Sequence, residues 1–199
     1  MTPPTELAAI RNLATAARQF MEPIWLEWHS AWNGDAPVTP SQWTCGRTSL
    51  FLSRALAAEG FEASWASGTP RLSSSGPELG DFGFLGDAGW QSHARVECGN
   101  VIVDITADQF GAPPVHIVDR HDRRYGKGDR VTALPEFILT RQRALNEIWP
   151  RWLCNSRRPL TLSLGCSCTL PSKRSRRDNG SSRRVDRCPH PRRYCLQPA

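Results

Sequence analysis

The chain has 199 residues, with Lys+Arg 25 against Asp+Glu 19 and a formal charge of +6. Residues 1–150 hold 13 basic and 17 acidic side chains, whereas residues 151–199 hold 12 and 2, so the basicity belongs to the last quarter alone. One domain of about 150 residues with a basic tail is the expected organisation, and the absence of any run of 18 apolar residues argues against a membrane-spanning helix. The best N-terminal apolar stretch, Leu7 to Ala17, is interrupted by Arg11 and lacks a positive start, unlike a secretory signal. Seven cysteines, an odd number, then predict free thiols and a reducing, cytoplasmic compartment rather than a disulfide framework.

Thr5 is placed to cap a first helix running to about Met21, with Leu7, Ile10, Leu13, Ala14, Ala17 and Met21 at helical spacing. Pro23 and a Trp-rich passage (Trp25, Trp28, Trp32, read as core) lead through Asn33-Gly34 and the Pro37–Pro40 turns to Trp43-Thr44-Cys45. A second, buried helix is predicted over Cys45–Glu59, apolar on Leu52, Ala55 and Leu56 and also on Leu50, Phe51, Ala57 and Ala58, with Gly60 ending it. Phe61–Ser67 alternates as a strand does. The Ser- and Gly-rich stretch from Ser67 to Gly89 reads as a long loop suited to a lid. Residues 93–98 and 101–106 read as two strands joined by a Gly99-Asn100 hairpin turn, Val115–Val118 as a further strand, and Pro135 as the first position of a closing helix. That helix is predicted over Glu136–Trp149 with Ile138, Leu139, Leu145 and Ile148 buried. The fold class is therefore α+β: a helix on a small antiparallel sheet, over residues 1–150.

Beyond Trp152 alanine and glutamate give way to Arg, Ser, Pro and Cys. Such a segment has little to bury and is expected to be disordered; translation of a shifted frame in a G+C-rich gene would yield the same composition. Its Cys166, Cys168, Cys188, His190 and Cys195 match no zinc-module spacing, and its Arg clusters suit nonspecific contact with polyanions rather than a dedicated nucleic-acid reader.

Chemistry concentrates in three residues. Cys45 falls in the first turn of an apolar helix, where unpaired backbone N–H groups and the positive end of the helix dipole favour a thiolate. Thr44 stands at the N-cap, and Gly46 leaves the sulfur uncrowded. If the turn lies at Gly99-Asn100, 98 faces 101, 97 faces 102, 95 faces 104 and 93 faces 106. His93 and Asp104 then share one face as diagonal neighbours. A carboxylate so placed fixes one imidazole nitrogen and leaves the other for a thiol. Asp108 is the competing carboxylate, but it lies beyond the hairpin and reads as a turn residue.

The pattern Cys45-Gly46-x-x-Ser49 opening a helix, His93-Ala94-x-Val96-Glu97, a turn, and Val101-Ile102-Val103-Asp104-Ile105-Thr106-Ala107 resembles the transglutaminase-like branch of the papain-like cysteine enzymes, over roughly residues 40–120. Arg95 stands where an aromatic often follows the His-Ala pair. The resemblance implies Cys45 as nucleophile, His93 as general acid/base, Asp104 as its orienter, and chemistry on a peptide or protein amide or related acyl bond, by hydrolysis or acyl transfer. Oxyanion donors are sought in the Cys45 N–H and in Gln42 or Trp43 just upstream. No metal, nucleotide or flavin motif is present, so no cofactor is expected. The rival reading is a non-catalytic peptide-binding module of the same fold, tethered by its basic tail. His29, His116 and His121 are read as core or solvated residues.

Overall fold

The computed structural model describes residues 2–32, 34–71, 76–128 and 135–156, the first two residues of the last segment as backbone only. Residues 157–199 of the expected basic tail, with its four cysteines from Cys166 onward, lie outside the described residues, as do Ser73, Ser74 and Ser75 of the predicted loop; residues 151–156, expected to open the tail, instead belong to the last helix. The element order is α1 (Pro4–Ser30), α2 (Cys45–Ala58), β1 (Ala63–Gly68), β2 (Phe84–Gly86), β3 (Gly89–Gln91), β4 (His93–Cys98), β5 (Val101–Asp104), a 3-10 turn (Ala107–Phe110), β6 (His116–Asp119) and α3 (Pro135–Ser156).

α1 begins one residue before the expected cap, with Pro3 at the N-cap and no side-chain cap at all. It also runs nine residues past Met21, straight through Pro23. A proline inside a helix removes one backbone bond and crowds the preceding turn. Here Ile24 and Trp25 are buried immediately after it, and continuing the helix is what buries them. Only part of the tryptophan series is core: Trp25 is fully buried, while Trp32 is 46% exposed. α2 matches its expected span, and Gly60 takes a left-handed φ of +88° just past its end. Phe51, Leu52, Ala55 and Leu56 are buried, but Ala57 and Ala58 face solvent, so the helix is amphipathic in its last turn.

Four strands form an antiparallel sheet in the order β1-β4-β5-β6. The hairpin register is the expected one, with Cys98 opposite Val101, Glu97 opposite Ile102 and Val96 opposite Val103. Gly99 at φ +56° makes the turn. Residues 84–91, expected within a loop, instead form the two-stranded β2–β3 hairpin. It is locked down by bridges from Phe82 to Lys127 and Phe84 to Tyr125. Gly68 and Gly83 permit this closeness, because a Cβ on either would collide with backbone, Lys127 O for Gly68 and Gln91 O for Gly83.

The three helices cover one face of the sheet, where Ile10, Met21, Trp25, Phe51, Leu56, Val96, Val103 and Ile148 form the main core. The other face holds a smaller cluster of Phe84, Ile102, Ala107 and Tyr125. α3 starts at Pro135 as expected but continues through Pro150 to Ser156, because Trp152 packs on Phe20 and Phe51. Its buried stripe is Ala144, Leu145, Ile148 and Trp152; Ile138 and Leu139, expected inside, are 41% and 58% exposed. Among the described residues no helix is long and apolar enough to cross a membrane.

Candidate active site

Cys45 is the first residue of α2. Thr44 occupies the N-cap but leaves the first-turn N–H groups alone: its hydroxyl donates backward to the Ser41 carbonyl at 2.6 Å. The positive end of α2 is therefore not spent on a capping oxygen, which favours negative charge on Cys45. The approach to Cys45 is rigid. Ser41 donates to Asp108 Oδ1 (2.5 Å), and Asp108 Oδ2 accepts from Arg18 (2.8 Å). Arg18 also donates to the Ile105 and Pro114 carbonyls, at 2.8 and 3.0 Å. Trp25 Nε1 donates to Thr48 Oγ1, which donates in turn to Thr44 Oγ1. Trp43, two residues before Cys45, is the one non-glycine with positive φ (+60°) among the described residues. A bulky residue adopts that conformation only where its surroundings impose it. Its N–H reaches Gln109 Oε1 at 3.4 Å, and its ring meets Trp32 edge-on at 4.7 Å.

His93 and Asp104 are buried, at 3% and 2% exposure, and meet as the diagonal register requires: His93 Nε2 lies 2.5 Å from Asp104 Oδ2. The Asp104 carboxylate is saturated. Oδ2 also accepts from Tyr125 Oη at 3.0 Å, while Oδ1 accepts the Thr106 backbone N–H at 2.8 Å and its hydroxyl at 2.9 Å. The Asp104-to-Thr106 turn ends β5 at Asp104, two residues earlier than expected. Around the imidazole, Phe84, Phe110 and Tyr125 form an aromatic box, with Phe110 edge-on at 4.9 Å.

Burial alone would lower the His93 pKa, but the Asp104 carboxylate, and after it the Cys45 thiolate, push it up to about 10. Burial alone would raise Cys45. His93, the Ala94 backbone N–H and the Arg141 guanidinium outweigh it, and the thiol titrates below its ordinary range. Asp104 is likewise held below the usual carboxylate range, with burial opposed by His93 and Thr106. The three groups favour a thiolate–imidazolium pair beside a carboxylate. Beyond Asp104, the Cys45 thiol is the group that raises the imidazole, and His93 Nδ1 is buried with no other partner. Cys98 behaves in the opposite way: buried in the main core near Glu6 and Glu62, it is pushed up to about 11.

Gln42 and Trp43, sought as oxyanion donors, are held on the approach to α2 by other contacts that leave the Gln42 amide N–H2 and the Trp43 indole N–H unassigned. Gln42 Oε1 accepts the Val38 N–H at 2.6 Å, and the Trp43 ring packs on Trp32 and His29. Asp108, the rival orienter, holds Ser41 and Arg18. Arg95, in the position noted as unusual, is buried, pairs with Glu97 at 2.9 Å and lies over the Tyr125 ring at 5.7 Å. His29 donates to the Pro40 carbonyl, and His116 is buried against Tyr125. The residues that sequence reasoning missed are Thr106, Tyr125, Gln109 and Arg141. Thr106 alone carried a local signal, since an Asp two residues before a Thr is a ready side-chain-to-backbone turn.

No protein-family model, curated protein or solved structure matches the chain.

Proposed function

We propose that this protein is a cysteine-dependent enzyme acting on amide or related acyl bonds, with a transglutaminase-like, papain-like arrangement of Cys45, His93 and Asp104. The observation that carries the reading is the polarity of the imidazole: Nε2 is fixed on a carboxylate with four donors, and Nδ1 is left without a partner on the side that Cys45 influences. An orphaned nitrogen alone does not mark such a residue, since His116 Nε2 is also buried without a partner; what sets His93 apart is the fully bonded carboxylate on its other nitrogen and the Cys45 thiol beside it. A buried histidine with one nitrogen oriented and one vacant, next to a thiol at a helix start, has the organisation of a general acid/base.

The Cys45 thiolate attacks the acyl carbon, and the carbonyl π pair moves to oxygen, where the N–H groups at the start of α2 face the developing charge. Collapse of the tetrahedral species breaks the bond to the leaving amine, which takes its proton from His93 Nδ1, and a Cys45 thioester remains. His93, now neutral, accepts a proton from water or an amine as that nucleophile attacks the thioester, and the thiolate is released. Asp104 stays ionised throughout and stabilises each imidazolium. Water as acceptor gives a peptidase or amidase, and an amine gives acyl transfer.

The test is alkylation by dilute iodoacetamide at about pH 6, well below an ordinary thiol pKa. Cys45 should be modified at least ten-fold faster than Cys98, with rates read from peptide masses. Equal, slow labelling of both would refute the reading and favour the non-catalytic peptide-binding module.

A further inference from the structure

α3 carries a cation whose position is hard to explain by stability alone. Arg141 lies against the start of α2 so closely that a Cβ on Gly46 would stand 2.5 Å from its Nε. Its guanidinium covers the Trp65 ring at 5.1 Å and makes one long hydrogen bond, Nη2 to Ser67 Oγ at 3.3 Å. Nη1 is buried with no partner, and no described carboxylate pairs with the side chain. The two buried arginines Arg18 and Arg95, by contrast, have acidic partners: Arg18 holds Asp108 and Glu22, and Arg95 holds Glu97. A guanidinium presents five donors in a planar fork, and withdrawing it from water around one weak acceptor is unfavourable unless an anion completes the set.

The neighbourhood is the reacting centre. The Arg141 charge also acts on the Cys45 thiolate. One turn earlier on the same side of α3, Phe137 and Ile138 are 37% and 41% exposed, an apolar shelf next to the cation. We propose, resting on the reading of Cys45 as nucleophile, that Arg141 is a specificity determinant: its guanidinium receives a carboxylate carried by the acyl substrate close to the bond that Cys45 attacks. The two-oxygen, planar acceptor suits the fork, whereas a single developing oxyanion would use only part of it. Neutral amides of the same shape would leave the donors unsatisfied and be rejected.

A pair of small electrophiles tests this without knowledge of the natural substrate. Iodoacetate and iodoacetamide react alike: the thiolate displaces iodide from the CH2 carbon, a C–S bond forms, and iodide leaves with the C–I electron pair. They differ in carrying a carboxylate or an amide. The ratio of their rates at Cys45, normalised to the same ratio for N-acetylcysteine, cancels the thiolate fraction. In the full-length protein this ratio should exceed the reference by about ten-fold or more, the scale of one charge-assisted pair. Arg141→Met should return it close to the reference, and Arg141→Lys, which keeps the charge but loses the fork, should fall between. A wild-type ratio equal to the reference overturns the proposal. So does an Arg141→Met variant that slows both reagents equally, since Arg141 then serves only the thiolate. If Arg141→Met does not fold, Arg141→Lys decides by the same ratio. Failure of the underlying reading is separate and visible in the same data, as Cys45 reacting with iodoacetamide at pH 6 no faster than N-acetylcysteine does.

Discussion

Replacing Asp104 by Asn changes one atom and, in this setting, reverses a proton. The Thr106 backbone N–H cannot rotate, and it donates to Oδ1 together with the Thr106 hydroxyl. An asparagine must therefore keep its carbonyl oxygen there and turn its NH2 toward His93 and Tyr125. His93 Nε2 then has to accept, which places the ring proton on Nδ1, the nitrogen that should be free to take a proton from Cys45. Loss of the ionic partner alone removes a hydrogen bond to charge worth about 1.5–3 kcal/mol, or roughly ten- to a hundred-fold. Inversion of the tautomer adds to this, for a total turnover loss of about 10⁴, the size reported for the same exchange in serine-protease triads. With no substrate in hand, the assay is the pH profile of Cys45 alkylation. In wild type the rising limb should lie below the ordinary thiol range; in Asp104→Asn it should move up toward that range, with the rate at pH 6 down at least ten-fold and the melting temperature little changed. An unshifted profile would refute the claim that Asp104 governs the imidazole.

Asp108→Asn should do the reverse, lowering stability by about 1–3 kcal/mol in urea unfolding by loosening the bonds to Ser41 and Arg18, with the alkylation pH profile in place. In the stability–pH profile, His93 with its raised pKa contributes fully below about pH 6.5, and that contribution is lost as pH rises toward about 10. Asp104, with its lowered pKa, contributes above about pH 3.8 and loses its contribution as pH falls through its folded value. Cys45, also lowered, adds stability with rising pH up to about 9 and so masks part of the His93 decline. Cys45→Ala should expose that decline as a steeper fall between pH 6.5 and 9, and an unchanged slope would contradict the thiolate–imidazolium pair. Ending the chain after Trp149 rather than after Ser156 should cost about 3–5 kcal/mol, because it deletes Trp152 from the core; equal melting temperatures would show that this packing is idle.

The parts legible from sequence are those set by short-range rules. The hairpin register follows from two turn residues and the pleat, and with it the meeting of His93 and Asp104 eleven positions apart. The span of α2 follows from its apolar spacing and Gly60. Where tertiary contacts overrule local preference, local reading stops: Pro23 looks like a helix end until the burial of Trp25 is known, and Ile138 and Leu139 look like core until α3 is seen to present Leu145 and Ile148 instead. Glycines and serines between 67 and 89 conceal a hairpin because its pairing partners, Tyr125 and Lys127, lie some forty residues further on. Arg141 was invisible for a simpler reason. On a helix with Arg143 and Gln142 beside it, an arginine reads as solvated surface, and only the fold brings it to Gly46.

The Ser41–Asp108–Arg18 clamp has a bearing on when the thiol becomes dangerous. Besides the start of its own helix, the groups that favour the Cys45 thiolate come from β4 and α3, and its approach loop is tied to α1 and the 3-10 turn. His93, Ala94 and Arg141 are all far from it in the chain, so before they close on it Cys45 should behave as an ordinary thiol. Reactivity at low pH should emerge only when the last of these contacts closes, after α3 has left the ribosome. The rate of Cys45 alkylation at pH 6 should then serve as a direct clock for completion of the fold.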